Sequence, residues 1–172
     1  MKPALVAALL VLSAGGCKPA QPATVAAGTT AAVSRAGVTD VERQRMEKAV
    51  IAWLDTTMHE WQQGDSAGLM NSTYPTAGGW VSIGDGLMYT NRDSVARFLG
   101  GLSRIADKKI GHGTPTVDVL APGVAALAVT YRAQGKPPKM KPFDTRAAYT
   151  AVLLERNGQL QILQEHTSSV RP

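Results

Sequence analysis

The sequence predicts an α+β domain in which N-terminal helices pack on one face of a strongly curved, mostly antiparallel sheet. Three observations predict it. Apolar residues recur at helical spacing from about residue 39 to 109, long extended segments follow from 114, and the last two are joined by Asn157-Gly158, a strong hairpin turn signal. At 172 residues, 44% hydrophobic and 18% charged, the chain can build one compact core but not two.

The N-terminus reads as an export signal. Lys2 precedes an apolar run from Ala4 to Leu12, which is too short for a permanent membrane helix of about 20 residues. The only cysteine, Cys17, follows the small residues Ala14, Gly15 and Gly16. This resembles a bacterial lipobox, with Ala14 where leucine is usual, and implies a lipidated Cys17 as the first mature residue. An ordinary cleaved signal, cut after Ala20 or Ala23, is the alternative. We therefore read 1–16 as signal peptide, 17–37 as a tether rich in Ala, Pro and Thr, and 38–170 as the folded domain, exported and held at the periplasmic face of a membrane only by its lipid. The alternative is a soluble periplasmic or secreted domain. A single cysteine forms no internal disulfide, so the fold must rest on packing.

Thr39 and Glu42 have capping-box spacing and Gly64 marks a stop, which predicts a first helix between them. Met46, Val50, Trp53, Leu54, Thr57, Met58 and Trp61 share one face of it, and His59 falls opposite with Asp55, facing solvent. Asp65 caps a short second helix, "SAGLMNS", and Pro75 with Gly78-Gly79 breaks the chain. "WVSIGDGLMYT" reads as a hairpin about Asp85-Gly86. In "NRDSVARFLGGLSRIADKK" the spacing predicts a third helix, with Val95, Phe98, Leu99, Leu102 and Ile105 on its inner side. Extended segments follow at 114–121, 124–133, 145–157 and 159 to about 169.

The terminal hairpin can be aligned residue by residue. With Asn157 and Gly158 as its loop, a regular ladder sets Leu153 opposite Ile162, Ala151 opposite Gln164 and Tyr149 opposite His166. The other face then holds Val152 with Leu163 and Thr150 with Glu165. The first set is richer in large apolar groups, so it is expected to face inward and to place His166 beside Tyr149. Such a pair could act in acid/base chemistry, or it could be two polar groups satisfying each other.

Helices, a Trp-led hairpin and long strands ending in "L-x-x-x-N-G-x-L-x-I-x-x-E-H-T-S" resemble the nuclear-transport-factor-2-like superfamily, in particular its SnoaL-like and ketosteroid-isomerase-like bacterial members. The resemblance spans about 38 to 170. It implies a sheet curled into a cone with an internal apolar cavity, on which members carry out isomerase, cyclase, dehydratase or hydrolase chemistry, or only bind. The ketosteroid-isomerase pattern wants an inward carboxylate base. The regular ladder turns Glu165 outward, and Asp118 and Asp85 are weak substitutes, so no catalytic residue of the family is carried over. The expected cavity lining is Trp53, Trp80, Tyr131, Tyr149, Leu153, Ile162, Gln164 and His166. No catalytic residue is assigned, His166 and Tyr149 being the candidates.

Other chemistries find little support. His59, His112 and His166 lack zinc-site spacing, and "GHGTP" (111–115) reads as a rim loop or a turn. Nucleotide-binding glycine motifs are absent, Ser168 and Ser169 lack a nucleophile elbow, and no cofactor or metal is expected. The net charge of +5 is dispersed, and its densest stretch, "GKPPKMKP" (135–142), has no aromatic to stack a base; it reads as a solvated loop, not a nucleic-acid site. The partners expected are a small apolar ligand or a protein, with a second copy of the chain pairing on the convex sheet face through Val152 and Leu163. An isomerase or dehydratase using His166 and Tyr149 is the alternative. A cone plugged by Trp53, Trp80 or Met side chains would favour binding, and a deep cavity with an inward carboxylate would favour the enzyme.

Overall fold

The computed structural model describes residues 37–76, 79–84 and 86–170. The signal, Cys17 and tether readings, and Asp85, lie outside these residues. Among the described residues no helix is long and apolar enough to cross a membrane.

Helix α1 (Asp40–Gln63) begins where the Thr39 side chain accepts from the Glu42 amide at 3.2 Å, and ends at Gly64 in the left-handed region, φ 74°. Its inward stripe buries Met46, Val50, Trp53 and Leu54. Helix α2 (Ser66–Thr73) is capped by Asp65, whose side chain accepts from the Gly68 amide. The hairpin β1 (Val81–Gly84) and β2 (Leu87–Tyr89) leads into α3 (Arg92–Leu99).

Helix α3 ends ten residues earlier than its spacing predicts. Gly100-Gly101 stops it, and after a single 3₁₀ turn at Leu102–Arg104 the chain enters a strand, β3 (Ala106–His112). His112 therefore ends a strand instead of sitting in a loop. Phe98, expected inside, is 61% exposed, while Val95, Leu99 and Leu102 are buried.

Strands β4 (Thr116–Ala121), β5 (Val124–Lys136), β6 (Phe143–Arg156) and β7 (Gln159–Val170) follow. The sheet order is β2-β1-β7-β6-β5-β3, with β4 also paired to β5; only the β1–β7 pair is parallel. The two long central strands present Ala125, Leu127, Val129, Ala133, Ala147, Tyr149, Ala151 and Leu153 on one buried face, the face the helices cover. This is a helix-covered, curved and mostly antiparallel sheet, as the order of elements predicts.

The terminal hairpin departs from the regular ladder at one point. Leu154 pairs with Gln161 and Leu153 with Ile162, but Val152 then pairs with Gln164, leaving Leu163 as an extra residue. This β-bulge shifts every later pair by one, and a shift of one reverses which face each side chain takes. Tyr149 stands opposite Thr167, Ala151 opposite Glu165, and Thr150 opposite His166. His166 and Gln164 are exposed on the outer face, and Glu165 is buried on the inner one. The expected pairing of Tyr149 with His166, and the inward placement of Gln164 and His166, are thereby corrected.

Candidate functional site

The inner face gathers a carboxyl group and two phenols. Tyr74 donates to Glu165 Oε1 at 2.6 Å, and Tyr149 donates to Glu165 Oε2 at 2.8 Å. Three elements supply them: the end of α2, the middle of β6, and β7 just beyond its bulge.

Each position has a local cause. Tyr74 precedes Pro75, which disfavours helix for it, so it leaves α2 in an extended conformation, φ −104° and ψ 125°. Arg92 then holds that corner by donating to the carbonyls of Met70 and Tyr74 and to the Asn71 side chain. The Tyr74 ring packs on Trp80 with centroids 5.2 Å apart at 51°, and Ser82 on β1 is the register partner of Glu165. Tyr149 faces inward by strand alternation, and Glu165 because Leu163 is bulged.

All three side chains are withdrawn from water, Glu165 being 8% exposed. Burial, and then the neighbouring Glu165 charge, hold both phenols well above their ordinary value of 10, so they remain proton donors at neutral pH. Burying a carboxyl group without partners would be costly, and here each oxygen has a donor.

The expected cavity lining is divided by the structure. Trp53, Trp80, Tyr149, Leu153 and Ile162 are buried inside, Tyr131 is half-buried against them, and Gln164 and His166 lie outside. The interior is occupied by Met46, Val50, Trp53, Leu54, Leu127 and Ile162. Two polar atoms on the buried side of α1, Trp53 Nε1 and Thr57 Oγ1, lack a partner. A slot of about 10 Å³ lies beside Trp80 and Ile162, room for one water, and a more open hollow of about 320 Å³ lies between α1 and β3. Among the described residues, no three His, Cys, Asp or Glu side chains converge to hold a metal ion.

Sequence reasoning missed Glu165 and Tyr74. The bulge has no local mark in the sequence: Leu153-Leu154 on the partner strand is a pair of large apolar residues like Ile162-Leu163 and stays in regular register.

Solved structures share this architecture. A candidate scytalone dehydratase from Novosphingobium aromaticivorans DSM 12444 superposes with a TM-score of 0.68 at 12% identity, over 77% of this chain and 89% of that one. The chain has the nuclear-transport-factor-2-like fold. A candidate dehydratase of that family from Streptomyces avermitilis gives a TM-score of 0.65 at 13% identity, covering 76% and 99%. A ketosteroid-isomerase-like protein from Erwinia carotovora atroseptica gives 0.60 at 13% identity, covering 73% and 96%. At such identities the likeness carries the fold and no activity. No protein-family model matches the sequence, and no curated protein does.

Proposed function

We propose that the chain is an exported, lipid-anchored binding module that works through its outer surface, pairing with a second copy of itself across the convex sheet face, and that it performs no turnover. The observation carrying this reading is the sealed interior: both Glu165 oxygens are taken by phenols, and tryptophan, methionine and aliphatic side chains fill the cone. The convex face supports the pairing, since exposed Ala128, Ala148 and Thr150 make a small-residue surface beside Val152 and Leu163. Lys2, the short apolar run and Cys17 support export and anchoring.

Native mass spectrometry of protein isolated from its host envelope tests the reading. A dimer without a bound small molecule is expected. A monomer carrying a small apolar molecule would overturn it.

One set of observations favours a second reading, an acid/base enzyme of the isomerase or dehydratase kind centred on Glu165, with Tyr74 and Tyr149 as donors. The unpartnered Trp53 Nε1 and Thr57 Oγ1 offer hydrogen bonds inside the cone, and neighbours of the same fold are described as dehydratase and isomerase-like. If a small molecule co-purifies, its conversion by the wild type and not by Glu165→Gln would establish this reading. Unchanged conversion by that variant would end it.

A further inference from the structure

We propose that His112 is a pH-sensitive latch fastening the C-terminal half of α1 to the edge strand β3. Its ring lies between two acceptors: Nδ1 is 2.7 Å from the Gly113 carbonyl oxygen, and Nε2 is 2.9 Å from Asp55 Oδ1 on α1. A neutral imidazole has one N–H and one lone pair, so in this geometry it would set a lone pair against a carbonyl or a carboxylate. Only the imidazolium donates to both. The two bonds raise the affinity of His112 for its proton above the ordinary histidine value of 6.5, the Gly113 contact first and the Asp55 side chain next.

The surroundings are few. From α1, Asp55 and His59 border the same open hollow, and the Gln62 side-chain oxygen accepts from the Ile110 amide at 3.3 Å, a second and pH-independent clasp two turns beyond Asp55. Along β3, Lys108 is turned to the Ile105 carbonyl and Lys109 precedes Ile110. From β5, Tyr131 is the register partner of His112, and the neighbouring Arg132 is engaged with Asp144. His59, if charged, would compete for Asp55. A group whose folded-state value is raised stabilises fully below its unfolded value, and that contribution fades as pH rises through the folded value. The latch is therefore closed in mild acid and loosens in alkali.

Nitrogen-15 imidazole spectra of the whole chain, with His112 and His59 assigned, test the first step. At pH 6 both His112 nitrogens should be protonated, with a midpoint above 6.5 that Asp55→Asn lowers. A neutral tautomer at pH 6, or a midpoint indifferent to Asp55→Asn, would overturn the proposal. Hydrogen exchange tests the second step. After correction for intrinsic rates, protection of 56–62 should fall about two- to fivefold from pH 6 to pH 8.5, the span open to a partly exposed ion pair, and His112→Gln should abolish the change. Equal pH dependence in the variant would refute a latch.

Discussion

Replacing Tyr149 by Phe removes one hydroxyl from the buried face of β6 and leaves Glu165 Oε2 without its donor, 2.8 Å away in the native structure. Tyr149 is buried and Glu165 is 8% exposed, so water cannot easily take the vacated place. Stranding one buried polar partner costs about 1 to 3 kcal/mol. For a domain of this size that lowers Tm by roughly 3 to 5 °C per kcal/mol. Urea unfolding, with Tm by calorimetry alongside, reads the loss. Tyr74→Phe should cost a similar amount, and because both phenols serve one carboxyl group the double variant should depart from additivity by at least about 0.5 kcal/mol. His166→Ala, at an exposed position on the outer face, should cost under about 0.5 kcal/mol. Losses below about 0.5 kcal/mol for both tyrosines, or a larger loss at His166 than at Tyr149, would refute the assignment.

Three further outcomes follow from the same structure. Phenols held above 10 stabilise fully below pH 10 and lose that contribution as pH rises further, so Tyr74 and Tyr149 should ionise only as the domain unfolds in alkali; absorbance near 295 nm showing all four tyrosines titrating reversibly near pH 10 would contradict this. Thr150→Arg, placing a charge at the centre of the convex face, should turn a dimer into a monomer in sedimentation at tens of micromolar without unfolding it, and a wild type that is monomeric there removes the proposed pairing. Cys17→Ser should abolish uptake of a fatty-acid label and release the protein from the membrane, whereas an unlabelled wild type would discard the lipid anchor.

Much of the fold is legible because its signals are local. Thr39, Gly64 and Asp65 bound helices through their own side chain or backbone conformation, and Asn157-Gly158, with φ of 53° and 75°, sets its turn by itself. What was not legible depended on distant partners. The strand Ala106–His112 carries Asp107-Lys108-Lys109 in place of an apolar run, and it is extended because β5 supplies its hydrogen bonds. The site is hidden for a narrower reason: regular alternation from the turn to His166 has no place for one extra residue. Leu163, outward at 39% exposure, is the extra residue, and past it Glu165 stands opposite Ala151, the place the regular ladder gives Gln164, while Thr167 takes the place of His166 opposite Tyr149. Tyr74 was invisible for another reason: nothing local says that a residue closing a short helix will meet the last strand.

The central claim, that one bulged residue puts Glu165 inside and His166 outside, is tested most directly by cross-strand NOEs between β6 and β7. Contacts linking Tyr149 to Thr167, Ala151 to Glu165 and Thr150 to His166 are predicted. Contacts linking Tyr149 to His166 and Thr150 to Glu165 would contradict it, and with it the Tyr74–Glu165–Tyr149 centre.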